Sequence, residues 1–436
     1  MQTETSWHLP AASGDRSARP SGSARPSFGV FLLPSVAMFL RLVSCCLSLT
    51  LALASRGAPL EASPEATADE RPAVASPSDR PTAESAGPER AGRPSWTADQ
   101  VAQWAAREAA TARLLDTEWR AVGSQFDRDE ASQCWQARLL QSIIRPLAAH
   151  ERNGAAAKAL RNYVRIVGSR QQQAVGQTAL VQLSELIQLA QRAAELGLPD
   201  GDANALQQQR LQLRQADVEA TYGIKQLREG LAGLVGQPRD VAARAQLVTP
   251  LELPEPPPAA EEAVAVALAD RADLEAVEAL CRQLNSATLP VARQALAGFQ
   301  PGLGFALAAA GKAKGGLLAL HARPDVGGDL ACRRQQCRQL RETRQRQIEA
   351  EVRAARWDLI GLRQRVELLR DQAALAETAY RESLEAINLD QAAVGTDKQR
   401  RLEWLALQRQ VWERLTEARL ADIRLRETMG QLARSS

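Results

Sequence analysis

Aromatic residues are scarce in this 436-residue chain, at 4%, with three Tyr and six Phe. That argues against a large antiparallel β-protein, which draws on aromatic and β-branched side chains. It also argues against a nucleic-acid reader built on stacked bases. Histidine is scarcer still, with three in the whole chain, too few for most metal or acid–base enzymes. Net charge is nearly absent as well: 54 Lys and Arg stand against 51 Asp and Glu, leaving +3. No strong basic field is available for a phosphate backbone. Six cysteines make no disulfide framework. Cys332 and Cys337 lie five apart on a helical pattern with no second pair or histidine near them, so they do not read as a metal site.

What is abundant is Ala, Arg, Gln, Leu and Glu. These are helix formers, and they point to long helices or coiled coil. The clearest signal runs from Ile348 through Val352, Ala355, Leu359, Leu362, Val366, Leu369, Ala373 and Ala376 to Tyr380. Steps of four and three alternate throughout, which is a heptad seam. It predicts a helix over about 331–386. A break around Asn388–Asp397 precedes a second helix over about 398–432, with Trp404, Leu415, Ala418 and Leu425 on its seam. A short connection makes the two antiparallel neighbours.

The first half repeats the design. Helices are predicted over about 155–196 and 205–235, joined at Gly197–Asp202, where Gly and Pro punctuate the pattern. Ahead of them, Trp96–Asp116 reads as one amphipathic helix with Thr97 as N-cap, and Gln133–Ala149 as another, kinked at Pro146. The tryptophans of these segments, Trp96 and Trp357 among them, are expected at helix crossings. Pro250–Pro258 reads as extended linker. Two shorter helical stretches, Glu261–Ala269 and Asp273–Ala297, open the second half. The fold class is therefore mainly α: two repeats of long antiparallel, coiled-coil-like hairpins, with at most a small β-hairpin near 303–321.

The N-terminus reads as an address followed by a tether. Met38-Phe39-Leu40-Arg41 precedes the apolar run Leu42–Ala54, which ends in the small-x-small pattern Ala52-Leu53-Ala54. From Met38 this is a compact signal peptide. A membrane anchor, or lipid attachment at Cys45, are the other readings. The domain plan is then 1–54 extension plus signal, 55–95 disordered Pro/Ala/Ser/Glu tether, 96–237 first repeat, 238–260 Pro-rich linker and 261–436 second repeat.

Several segments together resemble the outer membrane efflux protein family, the TolC-like exit ducts. Leu231–Pro238 looks like the end of that family's first hairpin, and Pro250–Pro254 with the prolines after it looks like its inter-repeat linker. Asp270-Arg271-Ala272-Asp273-Leu274 is similar to the opening of its second half, with Ala272 where the family usually has proline. Ala292–Leu303 looks like its approach to a strand, and Gly327-Gly328 like its strand-to-helix exit. The resemblance covers about 96–433. It implies a homotrimer forming a hollow helical cylinder in the periplasm beneath an outer-membrane barrel. It also implies a periplasmic adaptor and an inner-membrane transporter as partners, with no cofactor, no catalytic residue and no nucleic acid. The hairpin tips facing the adaptor would be Gly197, Pro199, Asp200, Asp202, Asp390 and Asp397. Their acids either place negative charge at the entrance or serve as turn and cap residues.

One departure matters. The family supplies four strands per protomer, whereas the first half here reads helical across 126–176 and the second offers two candidates of about five residues. Six short strands per trimer do not close a barrel of about eight or more. The barrel portion is thus expected to be reduced or missing. This leaves two readings of the function: an outer-membrane efflux duct, or a non-conducting periplasmic scaffold descended from one.

Overall fold

Thr97 starts the first helix in the way its sequence predicts. Its hydroxyl accepts from the Gln100 amide at 3.2 Å, and the Gln100 side chain accepts from the Thr97 amide at 3.0 Å. This reciprocal capping box fixes helix α1 at Ala98–Glu108. In the computed structural model, the residues described are 94–126, 130–196, 203–300, 326–389 and 395–433. All belong to one unit, 86–436. The expected signal segment, nearly all of the tether and the β-hairpin near 303–321 lie outside the described residues.

The first helix is shorter than its sequence suggests. Trp96 is not helical but pairs in a two-residue strand, β1, Ser95–Trp96. At Ala109 a ψ of 102° turns the chain before α2, Ala110–Gln125. The turn lets α1 and α2 each lie against α3. No Gly or Pro marks it, so the local pattern ran straight through.

Helix α3, Ala131–Glu195, is 65 residues long, about 98 Å at 1.5 Å per residue. It joins two segments that the sequence separates. Pro146 would ordinarily break a helix, but here it is buried within one. The polar stretch after it is tied down by Asn153. That buried amide donates to the Glu427 carbonyl at 3.0 Å and accepts from the Leu432 amide at 2.9 Å. Tertiary packing outweighs the local signal.

Helix α4, Ala203–Val235, returns along α3. The Pro-rich linker, 238–260, opens with a short helix, α5, Arg239–Arg244, and strand β2, Gln246–Leu247; Pro250–Pro258, expected to be extended, holds neither helix nor strand. β2 pairs in parallel with β1, Ser95 against Gln246 and Trp96 against Leu247. Tyr163 locks this junction: its hydroxyl donates to the Trp96 carbonyl at 3.0 Å and accepts from the Thr249 amide at 2.9 Å. Three short helices follow, α6 Ala260–Asp270, α7 Ala272–Gln283 and α8 Leu289–Phe299. Pro290 stands in the first turn of α8, where it costs no hydrogen bond.

The second long hairpin is α9, Val326–Asn388, and α10, Thr396–Thr428. α10 packs against both α9 and α3, so the four long helices lie side by side in the order α4, α3, α10, α9. The heptad seam faces inward: Ile348, Val352, Ala355, Leu359, Val366 and Ala373 are all buried. Each large aliphatic among them contributes about 1.5–3 kcal/mol relative to exposure. One apolar core joins α1, α3, α4, the linker and α10. A second joins α6, the start of α7, α9 and α10. A third joins α3, α7, α8 and the start of α9. The fold is mainly α and built on long helical hairpins.

Candidate functional site

The hairpin ends come first, because the sequence places its candidate contacts there. Gly197, Pro199, Asp200, Asp202 and Asp390 lie outside the described residues. Asp397 stands in the first turn of α10. Just before it, Gly395 has φ of 96°, a left-handed conformation suited to glycine. A side chain there would reach Leu186 and Leu189 of α3. Next to Asp397, Lys398 forms an ion pair with Glu185 of α3. The start of α10 is therefore seated on the last turns of α3, so the C-terminal end of α3 and the N-terminal end of α10 lie at the same end of the layer.

The outer faces of the layer were not read from the sequence. α4 and α9 are its edge helices, and each carries an exposed apolar stripe. On α4 the stripe is Leu211, Val218 and Tyr222, spaced seven and four apart; on α9 it is Leu368 and Leu375, seven apart. All five are more than half exposed. Such spacing puts each set on one helix face. The stripes also share a height. Gln173 bonds Asp217 and Thr221 across α3 and α4 at 3.0 and 2.9 Å. Tyr380 stacks on Trp404 across α9 and α10 at 6.0 Å, and Lys398 meets Glu185 across α10 and α3. Counting along the helices from these contacts puts Leu375 within about one turn of Val218, and Leu368 within about one turn of Tyr222. The signal was present: Leu368 and Leu375 fall outside the buried seam yet keep its seven-residue step.

A buried charge network closes the second half. Arg271 grips Asp273 with two bonds, 2.9 and 2.8 Å. It also pairs with Glu351 of α9. Arg344 of α9 reaches the same Asp273 carboxylate at 2.8 Å. Burial would raise the Asp273 carboxyl, but the hydrogen bonds and charge of Arg271, then the charges of Arg344 and His150, hold it well below the usual carboxylate range. The Asp270–Leu274 motif thus binds α7 to α9.

Trp357, expected at a helix crossing, is largely exposed, as are the rings of Trp119 and Trp135 in part. Trp404 and Trp104 do meet other rings, Tyr380 and Trp96. Cys281 and Cys337 share the third core. Their thiol–thiol hydrogen bond, then burial, pushes the Cys337 thiol up. Among the described residues no group of three His, Cys, Asp or Glu is placed to hold a metal. Among them, too, no helix is long and apolar enough to cross a membrane. That does not bear on a β-barrel.

Long paired hairpins with short helices packed beside them recur in solved structures. The outer membrane protein VceC of Vibrio cholerae superposes with a TM-score of 0.53 at 15% identity, covering 76% of this chain and 96% of its own. The Campylobacter jejuni CmeC outer membrane channel gives 0.56 at 11%, covering 77% and 85%. The open-state Neisseria gonorrhoeae MtrE outer membrane channel gives 0.53 at 12%, covering 77% and 89%. This chain shares their fold. No protein-family model matches its sequence, and no curated protein matches it either. The likeness is therefore carried by helix arrangement and not by residue identity.

Proposed function

We propose that this protein is a TolC-like outer-membrane efflux component. Three copies would form a helical periplasmic exit duct that works with an inner-membrane pump and an adaptor. The observation that carries this reading is the pair of exposed apolar stripes on the two edge helices, set at one height. A contact between α4 of one copy and α9 of the next is head-to-tail, and such contacts generate rings when the rotation closes. Four long helices per copy then line up around a cylinder. The fold shared with outer membrane channels supports this reading, and so do the two-repeat sequence plan and the signal segment read at Met38. The number three, the adaptor and the pump come from the family resemblance. On this reading the hairpin ends, Asp397 among them, face the adaptor.

The test is the state of the full chain expressed in a Gram-negative host. The outer membrane is washed with carbonate, and the extracted protein is weighed by native mass spectrometry. Retention in the washed membrane and a mass of three copies are expected. Val218→Glu with Leu368→Glu should give single copies with unchanged helical circular dichroism. Monomers for the unaltered chain, with release into the soluble periplasm, would overturn the duct and leave a periplasmic helical scaffold.

A further inference from the structure

A groove of about 480 Å³ opens on the four-helix layer, away from the hairpin ends. Its floor is α10, with Leu420 and Ala421; its walls are α3 and α9. Arg419, Ile423 and Arg426 of α10 face instead the cleft under α1 and the linker. At 100° per residue, these two sets occupy roughly opposite sides of α10.

Four arginines surround the groove: Arg161 and Arg165 from α3, Arg365 from α9 and Arg424 from α10. Their partners are too few. Arg161 pairs with Glu427, and Arg424 with Asp358 at 3.2 Å. Arg165 and Arg365 form no ion pair among the described residues. Two guanidinium charges are left in excess around one cavity. Burial, then the charges of Arg165 and Arg424, push the Arg161 guanidinium below its ordinary value. Arg161 and Arg165 stand four apart on one helix face, where like charges cost about 0.2–0.5 kcal/mol. Glu427 answers Arg161 alone, and among the described residues no carboxylate pairs with Arg165.

An independent feature points the same way. Gly361 lies in the groove wall, one turn from both Trp357 and Arg365. A glycine inside a helix costs about 1 kcal/mol relative to alanine. Close packing does not account for it, because an added Cβ would meet nothing within 4 Å. What the missing side chain provides is open space beside an exposed tryptophan. The Trp357 ring carries the Arg356 guanidinium at 5.4 Å from its centroid, so it is held as a platform.

We propose that this groove binds a small organic anion with an aromatic or apolar body. Arg165 and Arg365 take the acid group, since a guanidinium fork can donate two parallel N–H bonds to one acidic oxyanion. The body lies in the space beside Gly361, against Trp357 and Leu420. The site is complete within one chain, so it stands apart from the assembly proposed above.

The probe is naphthalenesulfonate, titrated by calorimetry into the full chain in detergent. Saturable binding at or below about 1 mM is expected, weakening several-fold as salt rises from about 50 to about 500 mM. Arg165→Gln with Arg365→Gln should weaken it at least about tenfold, with thermal unfolding unchanged, since both side chains are exposed and form no ion pair among the described residues. Gly361→Leu should block the probe while keeping every charge. The neutral analogue naphthalenemethanol should bind at least about tenfold more weakly. The proposal fails if the probe does not bind, if the double variant binds equally well, or if the neutral analogue matches the sulfonate. None of these readouts involves transport or copy number, so failure here leaves the duct reading standing.

Discussion

Arg228 and Arg271 are both under a tenth exposed, but carbonyl oxygens answer the first and carboxylates the second. Arg228 belongs to α4. It donates to the carbonyls of Ala242 and Ala245 at 2.9 and 3.0 Å, and also to that of Ala243. It closes the last turn of α5 just before β2, where helical carbonyls lack amide partners. Arg271 opens α7 between Asp273 and Glu351. Burial, then the charge of Arg170, lowers the Arg228 guanidinium. Burial acts on Arg271 in the same direction, but the Asp273 bonds and charge, with those of Glu351, raise it overall. The two halves solve one problem, a guanidinium taken out of water, in ways that differ in their response to acid. Carbonyls do not titrate; Asp273 does.

The contrast is broken most severely at Asp273. Asp273→Ala leaves Arg271 and Arg344 with Glu351, which is half exposed, in place of the buried carboxylate they share. Removing one partner of a buried pair costs about 3–5 kcal/mol, which a drop in the urea midpoint at neutral pH would register. Arg228→Met removes the charge together with its donors. The expected loss is smaller, about 2 kcal/mol, because apolar replacement leaves only carbonyls short of partners. An equal loss at the two sites would mean that carbonyl capping holds as firmly as ion pairing here.

Acid sharpens the same comparison with a smaller effect. Asp273 has a depressed folded-state pKa, so its stabilisation is full above the unfolded carboxylate pKa of about 3.9. It fades as pH falls from there toward the folded value. Between about pH 5 and pH 3 the loss should be about 1 kcal/mol from this group. Asp273→Asn should abolish that portion of the acid sensitivity in urea titrations repeated across pH. Arg228→Met should leave it intact. Retained acid sensitivity in Asp273→Asn would assign it to other carboxylates.

The long helices were legible because their signal is periodic and local. Ile348, Val352, Leu359 and Val366 repeat on one face over many turns, and that face is the buried one. Thr97 was legible because a capping box spans four residues. Contacts between distant parts of the chain left no such trace. Asn153 looks like the end of a helix until its partners at Glu427 and Leu432 are seen. Trp96 reads as helix because the strand it joins comes 151 residues later. Of the tip residues, Asp397 is the one the structure places, at the α10 start. The edge stripes escaped notice for another reason. A heptad step does not reveal whether a face meets its own hairpin or another chain. Likewise Trp357 carries the residue type of a crossing but stands at the mouth of the arginine groove.

The parallel bridge between Ser95–Trp96 and Gln246–Leu247 bears on the order in which the protein assembles itself. Hairpin α3–α4 closes over a few residues, so its loop entropy is small. The bridge closes 151 residues, and loop-closure cost grows with length. Long-range contacts of this kind form slowly. Residues 95–97 leave the ribosome well before Gln246, Leu247 and Thr249 exist to receive them. Among the earliest described residues to be synthesised, they wait for partners about a third of the chain away, and Asn153 waits longer still, for Leu432.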